Sequence, residues 1–328
     1  MTDRIKEIEN LLPDRLKNSL FSGMFGFRVT YDGLEEIRLR CAQPPEIRFK
    51  GKDYRTDKVI IAPQDIRQCL EYMSHYSLYA FQEEIRQGYL TVRGGHRIGV
   101  LGHAVLENGI VTGQTSLSFL NIRVAHEKIG CADTVMDFVC KDGVLKHTLI
   151  ISPPCCGKTT LLRDIVRQLS QGSVIPAKKV CVVDERSEIA ACVDGIPQNH
   201  LGERTDVIDC CPKAEGMLMV IRAMSPDIVA VDEIGGKKDI EAIESVIHCG
   251  CIVIGTVHGA DVKELYQKPE LGALLKRGVF GRLIVLSGKN GESAVGGFFQ
   301  CFIVRCVAFA TRLYLRGVFI FRLREICE

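Results

Sequence analysis

The sequence predicts an α/β protein, in which a parallel sheet crossed by helices follows a smaller α+β region. Three observations carry that prediction. From residue 147 onward, short apolar runs recur as "HTLIIS" (147–152), "KVCVVDE" (179–185), "DIVAVDE" (227–233) and "CIVIGTVH" (251–258). Continuous apolar runs of this length suit strands buried on both faces. Between them lie stretches of helical periodicity, from Thr159 to Ser170, around 213–223 and from Asp239 to Cys249, which suit right-handed crossovers in a parallel sheet. Before about residue 140 this alternation is missing, and short alternating stretches take its place.

Taken in order, the chain opens on "MTDRIKEIENLLPDRLKNSL", charged throughout and without the apolar core or cleavage site of a secretory signal, so a cytoplasmic location is expected. "EEIRLRCAQPPEIRF" (35–49) suits a β-hairpin broken by Pro44 and Pro45, and "DIRQCLEYMSHYSLYAFQEEI" (65–85) suits a helix. "GYLTVRGGHRIGVLGHAVLENGIVTG" (88–113) suits strands joined by glycine turns. The last expected core strand, "GRLIVLS", ends at Ser287. The expected domains are thus 1–140, 141–288 and an atypical tail, 289–328.

That tail is rich in Phe, Val, Cys and Arg and nearly free of acidic residues. Arg305, Arg312 and Arg316 interrupt its apolar stretch too early for a bilayer-spanning helix. An amphipathic surface helix is a second description. A segment translated in an altered frame relative to relatives is a third, favoured because neither membrane template matches well.

The 328 residues, 46% hydrophobic and 25% charged, are ample for about two globular domains. A net charge of +2 lacks the basic excess of a dedicated nucleic-acid binder, so no such partner is expected. Fifteen cysteines form an odd set with no CxxC pair, and are expected mainly as buried, reduced thiols rather than redox sensors.

The chemistry centres on "SPPCCGKTTLLRD" (152–164). Against the phosphate-loop pattern G-x-x-x-x-G-K-[ST], Gly157, Lys158 and Thr159 fall into place while Ser152 occupies the first glycine's position. An apolar strand before the loop and helical spacing after it provide the required context. Backbone amides of Ser152, Pro153, Pro154, Cys155, Cys156, Gly157, Lys158, Thr159 and Thr160, less the two prolines' missing N–H groups, would cradle phosphate oxygens at a helix N-terminus. Lys158 would pair with the β- and γ-phosphates of ATP, and Thr159 would ligate Mg²⁺.

Asp232 and Glu233 end an apolar strand, at the sheet edge where ligands bind in such folds. Asp232 suits a direct or water-mediated Mg²⁺ role, and Glu233 suits polarising the attacking water. Asp184, Glu185 and Glu188 follow another strand, with Glu185 and Glu188 the next candidates for that water. His258 follows the fourth, where a γ-phosphate sensor would lie, although a lone histidine is more often structural. By pattern this is a RecA-like P-loop NTPase architecture.

A P-loop, an acidic box, a "DE" strand and a "TVHG" histidine box, in that order, resemble the ring-forming ATPases of type II and type IV secretion. "GERTDVIDCCPKAEGMLMVIRAMSPDIVAVDEIG", "EEIRLR", "GGHRIGVLGHAV" and "NIRVAHE" resemble more narrowly the stage III sporulation protein AA family, from about residue 10 to about 288. The resemblance implies a cytoplasmic ATPase of the mother cell, with a peripheral membrane position as one option. It implies a homo-oligomeric ring, a hexamer suspected, working with membrane proteins of a sporulation channel complex. The family's loop is approximately G-P-P-G-C-G-K-T-T, so Ser152 and Cys155 both replace glycines. A left-handed backbone at either position would cost about 1–2 kcal/mol and weaken nucleotide binding. An ATP-binding scaffold with little hydrolysis is therefore the alternative to the motor. A P-loop small-molecule kinase fits less well, since no lid segment stands out between the core strands. In secretion ATPases the N-terminal domain supplies arginines to the nucleotide. Arg97 and Arg123 are the candidates here beside ordinary structural roles, with Arg204 and Arg222 as alternatives.

Overall fold

The computed structural model describes residues 4–23, 25–74, 81–154, 156–287, 300–304 and 321–322. The chain divides into two compact units, one of residues 1–126 with 191–198, the other of 127–190 with 199–328.

The first unit contains α1 (Arg4–Glu9), α2 (Asp14–Phe21), β1 (Leu34–Arg40), β2 (Glu46–Phe49), β3 (Lys52–Arg55), α3 (Pro63–Met73), α4 (Gln82–Gln87), β4 (Tyr89–Val92), β5 (His96–Glu107) and β6 (Ile110–Arg123). Its sheet is antiparallel in the order β3-β2-β1-β6-β5-β4. Alternate residues Ile37, Leu39, Ile98, Val100, Leu120 and Ile122 turn inward and share one core with Ile8, Leu16 and Ile66 of the helices and Leu12 of the α1–α2 turn, the period-two burial of a sheet with one covered face. The helix expected over 65–85 is instead two described helices, α3 and α4, while residues 75–80 between them lie outside the described residues. β5 and β6 meet at Asn108–Gly109, both at positive φ, the conformation of the two-residue hairpin turn.

The second unit contains α5 (Asp133–Val139), β7 (Thr148–Ser152), α6 (Lys158–Gln171), β8 (Val180–Asp184), β9 (Thr205–Asp209), α7 (Lys213–Ala223), β10 (Ile228–Val231), α8 (Lys237–His248), β11 (Ile252–His258), α9 (Val262–Gln267), α10 (Pro269–Lys276), β12 (Arg282–Ser287), β13 (Gln300–Val304) and β14 (Phe321–Arg322). The sheet order is β14-β13-β12-β7-β11-β10-β8-β9, parallel from β12 to β9. The predicted α/β class and parallel sheet are present. Leu149, Ile151, Val183, Val229 and Val231 face a cluster that includes Met217 of α7 and Ile243 and Val246 of α8. The alternate residues Ile150, Val182, Ala230 and Ile254 are equally buried, so the sheet is covered on both sides, as apolar runs without polar alternation require.

β9 has no counterpart among the expected strands. Its "TDVID" alternates polar and apolar residues at the sheet's edge and is only half-buried, so it lacks the continuous apolar signal. α8 starts two residues earlier than expected because the Asp239 carboxylate accepts from the Gly235 and Gly236 amides, capping the first turn. The sheet also continues beyond Ser287, β13 pairing antiparallel with β12 and β14 with β13. These two described pieces of the tail are strands and not the helix that the membrane-helix and surface-helix readings expect there; the remainder, including Arg305, Arg312 and Arg316, lies outside the described residues, as does the altered-frame reading. Among the described residues no helix is long and apolar enough to cross a membrane. Cys69, Cys140, Cys181 and Cys251 are buried, and burial holds each thiol above its usual range.

Candidate nucleotide site

β7 and α6 are joined by the loop 153–157, and both elements are built for the junction. β7 is buried along its whole length and lies between β11 and β12. Gly157 caps α6 with a left-handed backbone, φ 81°, which a side chain would strain. Lys158 and Thr159 then open the first turn, where unpaired amides and the helix dipole favour anions. Ser152 is fully buried in strand conformation, not in the left-handed region, so the backbone cost considered for a serine there does not arise. Its Oγ donates to the Pro153 carbonyl at 2.7 Å, and its own carbonyl accepts from Gly259 N. Cys155 lies outside the described residues.

Register brings the acidic strand end to this loop. β11 lies between β7 and β10, with His258 opposite Ser152 and Gly255 opposite Val231. Asp232 and Glu233, just past β10, therefore emerge at the same sheet edge as the loop. Thr159 Oγ1 donates to Asp232 Oδ2 at 2.6 Å. Thr256 bonds the other oxygen of Asp232, and its Oγ1 accepts from Glu233 N at 2.9 Å. Glu233 itself adopts φ 53°, a conformation that costs a non-glycine residue about 1–3 kcal/mol and is held where surroundings over-determine it.

Three donors meet the Glu233 carboxylate. Lys158 Nζ lies 3.3 Å and His258 Nε2 2.9 Å from Oε1, and Arg186 Nη1 lies 2.7 Å from Oε2. Burial pushes this carboxyl up, but the His258 hydrogen bond and the Lys158 and Arg186 charges outweigh it and hold it below the usual range. His258 Nδ1 is buried with no hydrogen-bond partner among the described residues. The His258 carbonyl accepts from Lys268 Nζ at 2.7 Å.

The loop after β8 is separately braced. The Asp184 carboxylate accepts from the amides of Glu188, Ile189 and Ala190 at 2.8–2.9 Å. Burial pushes Asp184 up to about 6, with those amides opposing and Asp209 adding to the rise. Arg163 of α6 donates to the carbonyls of Glu188 and Ile189, each at 2.7 Å.

Of the residues singled out in the sequence, Lys158, Glu233 and His258 therefore form one contact group, and Thr159 and Asp232 another beside it. Pro153, Pro154, Cys156 and Thr160 flank them on the loop and first turn, with Cys156 Sγ 3.5 Å from the Pro154 carbonyl. Glu185 pairs with Lys213 of α7, and Glu188 takes part through its backbone. Arg204 precedes β9, its amide donating to Ser170 Oγ at 2.7 Å, and Arg222 lies exposed in the last turn of α7. Arg97 and Arg123 belong to the first unit, where they oppose one another across β5 and β6, and Arg97 lies 3.8 Å from the centre of the Tyr89 ring. Two contributors escaped the sequence reading, Arg186 and Thr256. Thr256, inside "GTVH", had a legible signal as a polar residue in an otherwise apolar strand. Arg186, between Glu185 and Ser187, had none.

The donor set suits Mg-nucleotide. Thr159 and Asp232 offer hard oxygen ligands side by side, and Mg²⁺ bound with phosphates takes few protein ligands and keeps several waters. The loop amides and Lys158 supply the complementary positive field.

The chain matches the family "Sporulation stage III, protein AA" over residues 2–302. It is 40% identical over 298 residues to the stage III sporulation protein AA of Bacillus subtilis (strain 168), covering 90% of this chain and 95% of that protein. It is 28% identical over 246 residues to a ycf45 protein of Cyanidium caldarium, covering 74% and 66%. Among solved structures, its fold is similar to that of the Legionella pneumophila ATPase DotB, with a TM-score of 0.58, 14% identity and coverage of 84% and 77%. It is equally similar to the pilus retraction motor PilT with bound ADP, with a TM-score of 0.58, 15% identity and coverage of 85% and 80%.

Proposed function

We propose that this chain, which belongs to the sporulation stage III protein AA family, is a Mg²⁺-dependent ATPase. It acts in the mother-cell cytoplasm as a homo-oligomeric ring, and drives or gates a membrane channel assembly during endospore formation. The observation that carries the catalytic part is the convergence of Lys158, His258 and Glu233 beside the Thr159–Asp232 pair at one sheet edge. Family membership supports the sporulation setting.

In this reading the loop amides and Lys158 hold the phosphates, and Gly157 permits the close backbone approach. Thr159 and Asp232 hold Mg²⁺, which when bound neutralises charge on the terminal phosphates. Glu233 accepts hydrogen bonding from the attacking water and orients it, a role suited to a carboxylate kept ionised by its cationic neighbours. Thr256 fixes both the Asp232 carboxylate and the Glu233 amide, setting the angle between them. His258 holds one Glu233 oxygen and is placed to sense whether that oxygen is engaged.

Phosphate release by the purified full chain, beside a Lys158→Ala control and with nucleotide binding measured in parallel, tests this. Release well above the control supports the enzyme. The second reading, an ATP-binding scaffold, is favoured by the engagement of both Glu233 oxygens with protein donors. It expects binding that the control loses, with no release above that control.

A further inference from the structure

Arg186 is the exposed residue of the otherwise largely buried loop that follows β8, and several side-chain hydrogen bonds hold that loop. Asp184 gathers three consecutive amides, Arg163 ties down two carbonyls from the side, and Ser187 takes a left-handed turn at φ 52°. The brace lies next to β10 because β8 and β10 are parallel neighbours, with Val183 opposite Val231. Two residues past its strand, Arg186 therefore reaches across to Glu233, two residues past the neighbouring one. Its side chain is 57% exposed, against 9% for Lys158 and 19% for Glu233. A guanidinium so exposed gains little from an ion pair alone, so the bracing of its loop points to a use beyond that pair.

The charges around Glu233 indicate the use. One carboxylate draws Lys158 to one oxygen and Arg186 to the other. Lys158 is the lysine of the phosphate loop, whose anionic partner in the proposed reaction is a terminal phosphate. Arg186 and Lys158 thus face the same carboxylate from its two oxygens, two cations turned to one anion. We infer that Arg186 is a phosphate-binding arginine supplied by the nucleotide site's own unit, which leaves Glu233 to contact the terminal phosphate of a nucleoside triphosphate. The planar guanidinium suits that partner, since it can present two parallel N–H groups to two phosphate oxygens as it does to a carboxylate. Exchanging partners would also release one Glu233 oxygen for water, so a triphosphate, and not a diphosphate, would complete the site.

This inference rests on the nucleotide-binding reading above, and a binding experiment separates the two. Affinities for a non-hydrolysable ATP analogue and for ADP, each with Mg²⁺, are measured on the full chain for the parent, Arg186→Gln and Arg186→Lys. The same set is made on a Glu233→Gln background, where Arg186 no longer has a carboxylate to neutralise. Arg186→Gln is expected to weaken the triphosphate on the order of tenfold to a hundredfold, the range for a charge-assisted hydrogen bond. ADP should change less than about twofold, and Arg186→Lys should restore part of the loss. The loss should persist on the Glu233→Gln background. An equal effect on ATP analogue and ADP, or a loss that vanishes once Glu233 is neutral, would overturn the inference and leave Arg186 as the counter-ion of Glu233. Parent protein that binds neither nucleotide would overturn the nucleotide-binding reading and this inference with it.

Discussion

Thr159 and Asp232 are joined by a 2.6 Å hydrogen bond, although they stand 73 positions apart in the chain. The bond exists because β7 and β10 are both neighbours of β11, so the phosphate-loop helix and the acidic strand end open on the same edge. Together they present a hydroxyl and a carboxylate to one point, the donor set expected for Mg²⁺ carried in on a nucleotide.

Asp232→Asn should therefore uncouple the metal from the nucleotide. In the parent, ATP is expected to bind more tightly with Mg²⁺ than with chelator, and the substitution should reduce that gain about tenfold or more while changing metal-free binding little. Titrations with and without Mg²⁺ give the comparison. An undiminished Mg²⁺ effect would assign the metal to other ligands.

Glu233→Gln keeps the size of the side chain but removes its ability to draw a proton from water. Phosphate release should fall by about 10²–10⁴-fold, while ATP remains bound as in the parent or more tightly, since Lys158 and Arg186 lose a competing anion. Turnover at the parent rate would move the water-activating role to Glu185 or Glu188.

Ser152→Gly would match the loop to the glycine pattern, but Ser152 is extended and its Oγ is satisfied. The substitution should leave ATP affinity within about twofold and lower stability by about 0.5–1 kcal/mol, the cost of glycine in a strand. Binding titration and denaturant unfolding measure the two effects. A tenfold gain in affinity would mean that the hydroxyl obstructs the phosphates.

Asp184 should leave a pH signature. Its folded-state value of about 6 lies above the ordinary carboxylate value near 3.8, so between those values the folded chain holds the proton more tightly than the unfolded one. Its contribution to stability is thus full below about pH 4, and falls as pH rises to about 6. Measured from about pH 4 to about pH 7, the denaturation midpoint of the parent relative to that of Asp184→Asn should fall over that window and then level, because only the parent titrates. A constant difference would show that Asp184 titrates normally in the folded chain.

Much of the second unit was legible along the chain because its signals are local. The apolar runs at 148–152, 180–184 and 228–231 announce strands buried on both sides, and the Gly157-Lys158-Thr159 run announces the turn into α6. Elements with weaker local signals were misjudged. β9 alternates polar and apolar residues at a half-buried edge, and α3 and α4 carry a helical pattern that runs on across Ser74. At the loop, a glycine pattern suggested strain at Ser152, whereas pairing with His258 in β11 holds that residue in ordinary strand geometry.

The sequence by itself determined the α/β class, the phosphate-loop junction and the identity of Lys158, Thr159, Asp232, Glu233 and His258 as candidates. Each of these rests on residue type and spacing within one element. Only the tertiary structure decided which of them touch, and that Arg186 and Thr256 join them while Glu185 pairs with Lys213. Partnership among side chains on different strands depends on sheet order and register, here β8-β10-β11-β7. No residue in any single strand encodes that order, because it arises from how the crossovers bury all the strands at once.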